Sequence, residues 1–445
     1  MILNLLQFVL AFVLVLAPLV FIHELGHFLA AKLLRIGVPV FSLGFGPRLV
    51  GFRRGDTDYR LSLVPLGGYV RLAGDESDEL RHGAPEEFLS RPGWQRLVVF
   101  LAGPAFNLAL AFLVMWAYFA TVGKVEVPYT VVYGVTAGSA AELAGVERGD
   151  KIVAISGRSV EDARSFQYQY NVEIALAPGT RKTVTLERGG KRFDVEIRID
   201  SDPKLGMGDP GWSIGRGGGE SPVIARVLPG GAAEEAGLRA GDRILAAGDK
   251  RPITGLELQI VLEQSVGRTL DLGIERDGST IELPVKPRSS TEGRTIGIDF
   301  VSPPEAPIRL GIGAAAGEAV DWCLDSSKTL FVVLKRLVSA ELSLRTMSGP
   351  VGIAQVARDA LASGASYFVY LLAFFSLQLG ILNLLPIPIL DGGHILILVV
   401  EAVMRRSLSE TLKERVMQAG LVFLLAFMSI VIVLDLSKLE LSSLF

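Results

Sequence analysis

Near the amino terminus, Phe21-Ile22-His23-Glu24-Leu25-Gly26-His27 sets two imidazoles and a carboxylate at the end of a long apolar run. On a helix, residues four apart project from one face, so the rings of His23 and His27 can reach a single metal ion. Catalytic zinc takes nitrogen and oxygen ligands and keeps one position open. Glu24, beside the first histidine, can then accept a proton from a water that the metal acidifies. The chemistry this spacing points to is metal-assisted hydrolysis. A chance H-E-x-x-H string on a polar helix face is the plain alternative, and its setting argues against it. Leu5 to Ile22 carries no charge, and a helix needs roughly 20 mostly apolar residues to cross a bilayer. Each ionisable group placed at mid-membrane costs about 2.5 to 3.5 kcal/mol on insertion scales, and a bound metal offsets that cost.

A third ligand has to come from elsewhere in the chain. The single cysteine, Cys323, can supply neither an intramolecular disulfide nor a Cys-rich zinc site, so the remaining candidates are histidines and carboxylates. A second long uncharged run ends in Asn383-Leu-Leu-Pro-Ile-Pro-Ile-Leu-Asp391-Gly-Gly-His394. Two prolines spaced by one residue end a regular helix, and the glycines open backbone conformations closed to other residues. An aspartate after so long an apolar stretch calls for a partner, and zinc with two histidines commonly takes a carboxylate third. Asp391 is therefore the expected ligand, with His394, Glu401 and His82 as competitors. His82 sits in a polar loop, and His394 is simpler as an outer partner that orients Asp391 or hydrogen-bonds a peptide. Asn383, about two helical turns before Asp391, could donate to a substrate carbonyl or to the tetrahedral oxyanion, or could simply pack. Gly103-Pro104-Ala105-Phe106-Asn107 signals a kink beside a buried amide. Asn107 reads as a packing or hydrogen-bonding residue ahead of a catalytic one.

The elements that must position these groups are membrane spans. Half of the 445 residues are hydrophobic and the mean hydropathy is +0.42, which describes a membrane protein with soluble parts. A formal net charge of −3 argues against a general nucleic-acid binder. Charge-free runs place four transmembrane helices, about residues 3–31, 97–122, 366–386 and 416–434. The run from Ala360 to Leu390 exceeds one span, so part of it must be something else. Lys32, Arg35, Arg48, Arg53, Arg54 and Arg60 follow the first span, Arg91 and Arg96 precede the second, and Arg405, Arg406, Lys413 and Arg415 lie between the last two. Basic flanks stay in the cytoplasm, so both termini are expected outside, with the H-E-x-x-H end towards the cytoplasm. Cleavage of the first run as a signal peptide is rejected: it lacks a basic leading segment, is too long, and would take both histidines with it.

Residues 37–72 hold two β-prone stretches, Pro47 to Phe52 and Tyr59 to Val64, about a polar turn at Arg54-Gly55-Asp56. A hairpin there could offer an edge to an extended substrate by strand addition, or merely plug the membrane face. Residues 73–95 read as an acidic cytoplasmic loop. From Val125 to about Pro303 the composition is that of a soluble region, and it contains a repeat. Gly138-Ser-Ala-Ala-Glu-Leu-Ala-Gly-Val-Glu-Arg-Gly-Asp150 aligns without gaps on Gly230-Gly-Ala-Ala-Glu-Glu-Ala-Gly-Leu-Arg-Ala-Gly-Asp242. A short helix ended by Ala-Gly, then x-x-Gly-Asp opening a strand, resembles the PDZ domains of bacterial envelope proteases. Two PDZ-like α+β domains are expected, 125–205 and 206–303, with Trp212-Ser-Ile-Gly215 as the peptide-binding loop of the second. They could bind peptide C-termini or act as a steric filter. An amphipathic helical linker follows over 304–359, with Ile308 to Leu342 lying on the outer membrane surface or leading back to it. The second part of the membrane domain, 360–445, carries the Leu-Asp-Gly turn at 390–392; the first part is 1–124.

Taken together, His23-Glu24-x-x-His27 in a first span, Gly103-Pro-x-x-Asn107 in a second and Asn383-x-x-Pro-x-Pro-x-Leu-Asp391-Gly in a third closely resemble the site-2 protease family. The two tandem PDZ-like repeats narrow the likeness to its RseP-type bacterial members, over essentially the whole chain. The resemblance implies that His23, His27 and Asp391 bind Zn²⁺, that Glu24 is the general base, and that Asn383 contacts the substrate backbone. It further implies regulated intramembrane proteolysis of single-span proteins, typically an anti-sigma factor already trimmed outside the membrane, together with removal of leftover signal peptides. A membrane-anchored peptide-binding adaptor would explain the repeats but not the intramembrane ionisable groups. A metal transporter would explain the ligands but not the paired peptide-binding modules.

Overall fold

The computed structural model describes residues 2–74, 83–124, 130–160, 162–202, 206–215, 221–228, 230–251, 253, 255–288, 296–301 and 307–438. It divides into two compact units, one of residues 1–123, 203–206 and 309–445, the other of 124–202 and 207–308. In the first unit, α1 (Ile2–Leu33) carries Lys32 in its last turn, where a cation complements the helix dipole. The hairpin expected from sequence is present and longer than expected, with β1 (Val40–Arg54) and β2 (Thr57–Arg71) of 15 residues each. Both strands bend. Residues 40–43 lie between 58–61 and 68–71, while Arg48 to Arg54 pair with Ser62 back to Thr57, giving a sheet of four segments. The bend in β1 uses Gly44 and Gly46 at φ of +91° and +87°, a region that disfavours side chains. The 68–71 segment is one edge of this sheet. It packs on α1, where a Cβ at Gly68 would come within 3.2 Å of Glu24 Cγ.

Helix α2 (Gly93–Thr121) opens behind Pro92, a few residues earlier than charge alone indicated. Its buried stripe, Val99, Gly103, Asn107, Ala111, Met115 and Phe119, repeats every four residues and faces the other helices. Against α1 the approach is close, since a Cβ at Gly26 would stand 2.8 Å from the Ala102 carbonyl carbon.

The second unit holds the repeats. The first copy runs β3 (Val131–Val135), α3 (Ala140–Leu143), β4 (Lys151–Ile155), β5 (Arg158–Ser159), α4 (Ala163–Tyr170), β6 (Arg181–Arg188), β7 (Lys191–Arg198), β8 (Asp200–Ser201), β9 (Gly208–Asp209) and β10 (Trp212–Gly215). Its sheet has the order β10-β3-β4-β6-β7, with β5 beside β4. The second copy runs β11 (Val223–Val227), α5 (Ala232–Glu235), β12 (Arg243–Ala247), α6 (Gly255–Gln264), β13 (Leu270–Arg276), β14 (Ser279–Val285) and β15 (Ile298–Val301), in the order β14-β13-β12-β11-β15. In each copy the last strand returns to pair with the first, the curled sheet of a PDZ-like α+β fold.

One expectation is corrected here. Trp212 to Gly215 pair antiparallel with Val135 back to Val131 and so close the first copy rather than open the second. The Thr136 N–H donates to Gly211 O at 2.8 Å, and Leu228 makes the same bond to Gly297 O at 2.8 Å in the second copy. The counterpart of Trp212 is thus Ile298, and a boundary at residue 205 cuts a strand from its sheet. The structure also explains the shared Gly-Asp. Buried Asp150 accepts from Glu147 N (2.9 Å) and from Arg188 Nε and Nη2 (2.6 and 2.8 Å), and Arg188 also donates to Gly145 O (2.8 Å). Asp242 repeats the arrangement with Arg239 N and with Nε and Nη2 of Arg276, all at 2.7 Å, and Arg276 donates to Gly237 O at 2.8 Å.

Back in the first unit come α7 (Ile312–Val338), α8 (Pro350–Ser363), α9 (Ala365–Asn383), α10 (Asp391–Met404) and α11 (Glu410–Lys438). Among the described residues four helices are long and apolar enough to cross a membrane: Leu10–Leu33, Gly93–Thr121, Ala365–Asn383 and Glu410–Lys438. The chain is a multi-pass membrane protein. The overlong third run divides at Gly364, whose φ of +116° separates α8 from α9. Helix α7 does not lie free on a surface. Its small Ala315 and Ala319 pack against Met115 and Phe119 of α2, and Trp322, Cys323 and Leu330 pack towards Leu377 and Ile381 of α9.

Helix α10, which the sequence reading did not anticipate, is fastened at its far end. Buried Glu401 accepts from Leu408 N at 2.9 Å and Lys413 Nζ at 2.8 Å, and Arg96 lies 3.9 Å away. Helix α11 leans on the loop before α10, where a Cβ at Gly420 would come 2.9 Å from Pro388 O. At its other end Asp435 accepts from Gly352 N at 2.9 Å and so caps the start of α8.

Candidate metal centre

Three separate pieces of chain meet at this site. Helix α1 presents His23 and His27 from one face, their ring centroids 4.7 Å apart and the planes at 85°. Helix α2 passes directly beneath them. A Cβ at Gly103 would lie 2.5 Å from His27 Cε1 and 2.9 Å from His23 Cε1, so no side chain fits where the rings sit. Asp391 opens α10 after the prolines, with Ile389 at φ +81° turning the chain. The two glycines that follow are required by space: a Cβ at Gly392 would stand 2.5 Å from the Leu384 carbonyl carbon, and one at Gly393 2.8 Å from Pro388 Cα.

The donor atoms converge. His23 Nε2 is 3.1 Å from Asp391 Oδ2, His27 Nε2 is 3.5 Å from Asp391 Oδ1, and the two Nε2 atoms are 3.2 Å apart. A tetrahedral ion with arms of about 2.05 Å has edges of about 3.3 Å, so the residues fit a zinc-sized metal. Among the described residues this is the His/Cys/Asp/Glu group whose ligand atoms all lie within 4.8 Å of one another.

Neighbouring groups orient the candidate ligands. His27 Nδ1 donates to Val99 O at 2.8 Å, which leaves the Nε2 lone pair for a metal. Fully buried Asn107 places its amide 3.3 Å from His23 Nδ1 and is held by Ser376, whose hydroxyl donates to Asn107 O at 2.8 Å. Turned by half a rotation, that amide sets Oδ1, otherwise buried without a partner, on the Nδ1 proton and frees Nε2 of His23. Asn383 Nδ2 reaches within 3.4 Å of His23 Nε2. Glu24 borders the group from the sheet side, where its carboxylate accepts from the Val70 N–H of the edge segment.

Residues 11–427 match the family model described as Peptidase family M50. This chain belongs to peptidase family M50. The M50 chain is 32% identical over 456 residues to the Regulator of sigma-E protease RseP of Escherichia coli strain K12, covering 96% of this chain and 98% of that one. It is 32% identical over 454 residues to the protein of the same name from Salmonella typhimurium strain 14028s, again 96% and 98% covered. It is 30% identical over 456 residues to Protease RseP of Yersinia pestis, with the same coverage. Family and donor set together make the chain a metalloprotease.

Not every candidate joins the M50 site. The His394 ring stacks on Phe100, centroids 4.6 Å apart and planes at 9°, and stands outside the ligand group. Glu401 is committed to Lys413 and the 408 amide, and His82 lies outside the described residues. Sequence reasoning missed Gly103 as the floor under the imidazoles and the Val99 carbonyl as the partner of His27; it expected a hairpin edge, but not that Gly68 to Val70 form the one beside Glu24. Of these, only Gly103 left a local trace, as a small residue in a span.

Proposed function

We propose that this M50 member is an intramembrane zinc metalloprotease that cuts single-span membrane proteins, anti-sigma-factor type substrates and remnant signal peptides among them. The observation that carries the proposal is the convergence of His23, His27 and Asp391, one ligand atom from each lying within 4.8 Å of the others, brought together by apolar helices in which unpaired ionisable groups are costly. His23, His27 and Asp391 would hold the ion. Bound there, zinc supplies Lewis acidity that polarises a carbonyl and lowers the pKa of water towards about 7. Glu24 takes the proton of the attacking water and passes it to the leaving nitrogen. Asn383 donates its amide to the substrate carbonyl, and Asn107 and Val99 fix the two rings. His394, stacked on Phe100, shapes the wall.

A helical substrate hides its carbonyls in its own hydrogen bonds, so it must be drawn out before it is cut. The outer edge of this sheet at Gly68 to Val70, next to Glu24, suits an extended chain added as a further strand. The basic flanks favour both termini and both PDZ-like domains on the outer side of a bacterial inner membrane, with the site towards the cytoplasm. Those domains act as a substrate filter or bind peptide C-termini. Relatives named for regulating sigma-E support substrates of the anti-sigma type.

The test is Glu24→Gln in the full-length protein, reconstituted with a model transmembrane substrate. Cleavage should fall by about 10² to 10⁴, the usual contribution of a general base, with zinc content unchanged. Unimpaired cleavage would remove Glu24 from the mechanism, and peptide binding by a wild-type protein that never cuts would favour an adaptor.

A further inference from the structure

The sheet of β1 and β2 exposes apolar surface that none of the described residues of its own unit covers. Leu49, Val50 and Phe52 are 60 to 62% exposed, and Phe45, Leu63 and Val64 stand open beside them. A contiguous patch of this kind marks an interaction surface. Between the sheet and α1 runs a groove of about 450 Å³, lined by Phe21, Phe41, Leu43, Val50, Phe52 and Tyr59, with Arg60 on its wall.

The groove has a deep end and a polar end. Phe21 meets Phe41 at 5.9 Å, at the depth of the H-E-x-x-H segment. At the other end Thr57 Oγ1 donates to Val38 O at 2.7 Å and Asp58 N to Pro39 O at 2.9 Å. The β1–β2 turn therefore sits beside the end of α1, where Lys32 and Arg35 mark the boundary with water. Two exposed arginines, Arg53 and Arg54, lead into that turn. Among the described residues no acidic side chain pairs with either, whereas Arg48 and Arg60 are taken up by Asp58 at 3.4 and 3.0 Å.

We propose that the groove and the Arg53-Arg54 turn hold one anionic phospholipid of the leaflet next to Lys32, an acyl chain along the aromatic wall and the phosphate at the hairpin tip, met by Arg54 from the groove face and by Arg53 from the opposite face. Guanidinium forks match phosphate oxygens, and an anionic lipid, unlike a zwitterionic one, brings no cation of its own to oppose them. This site is independent of the metal chemistry and stands or falls separately.

The experiment titrates full-length protein in a nonionic detergent with phosphatidylglycerol or phosphatidylcholine and reads the first bound lipid by native mass spectrometry. One arginine near an anionic lipid is worth about fivefold in the binding constant, so the double variant R53Q/R54Q should bind phosphatidylglycerol about 25-fold more weakly and phosphatidylcholine as before. Val50→Trp, which fills the groove, should weaken both lipids. A loss below about threefold in R53Q/R54Q overturns the proposal, as does an equal loss in R405Q/R406Q, a basic pair elsewhere. One-for-one displacement of the bound lipid by a transmembrane peptide would assign the groove to substrate instead.

Discussion

Replacing Gly103 by alanine tests whether the imidazole pair depends on the bare backbone of α2. The added methyl would start 2.5 Å from His27 Cε1 and 2.9 Å from His23 Cε1. Carbon atoms rest at about 3.5 Å or more, so a ring or the helix must retreat by about 1 Å. Metal sites tolerate only about 0.2 Å in ligand distance, and a shift five times larger removes one imidazole from coordination. A displacement of about 1 Å in a catalytic group costs about 100-fold in rate even where the group survives. Overpacking one methyl costs about 1 to 3 kcal/mol, small enough that the membrane unit still folds. The assay measures zinc per chain and cleavage of a model transmembrane substrate in proteoliposomes, with thermal unfolding as the control. Substoichiometric zinc and cleavage down about 100-fold or more are expected, with unfolding close to wild type. Full zinc and a wild-type rate in Gly103→Ala would show slack between α1 and α2 and refute the argument.

Three further outcomes are expected. Asp391→Ala should leave the protein largely metal-free after dialysis against a zinc buffer, while Glu401→Gln keeps its zinc; the reverse pattern would transfer the third ligand to Glu401. In the second repeat, burial works to raise the Asp242 carboxyl, but the Arg276 guanidinium and the Arg239 N–H outweigh it and hold the group below the usual carboxylate range. The stabilisation this lends is full above about pH 4 and is lost as pH falls through the lowered folded value. Asp242→Asn should flatten the acid limb of unfolding below about pH 4, followed by hydrogen exchange in β12 and β13. An unchanged slope would dismiss the clamp. Trp212→Ala removes a nearly buried indole, about 3 to 5 kcal/mol, and should strip exchange protection from Val131–Val135 while sparing Val223–Val227. Loss in the second copy instead would restore the earlier boundary.

What was legible in the sequence was local. His23 and His27 announce themselves by a spacing of four, the spans by length and lack of charge, and the repeats by an ungapped match ending in Gly149-Asp150 and Gly241-Asp242. What was hidden depends on distance along the chain. Arg188 lies 38 residues from the aspartate it clamps and Arg276 lies 34 from its own, with no local mark on either. Trp212 was read with the residues after it because adjacency is visible and strand pairing is not. Helix α10 was masked because its apolar run simply continues past two prolines, and only Ile389 at a positive φ shows how the chain turns to restart a helix at Asp391. Gly103 was seen as a kink signal, yet its purpose appears only once another helix is laid on it. The bent strands of the β1–β2 sheet follow from glycines whose conformation the hairpin pattern could not specify.

The contact of Gly420 with Pro388 has a consequence for the reach of the final helix. With no room for a methyl group between them, the backbone of α11 serves as the backstop for the proline loop that delivers Asp391. A chain shortened before Glu410 would retain His23, His27 and Asp391 and yet lose the surface that keeps the carboxylate from swinging away from the histidines. Helix α11, which supplies no member of the His23, His27 and Asp391 group, thereby guards the integrity of a cluster begun some 400 residues earlier.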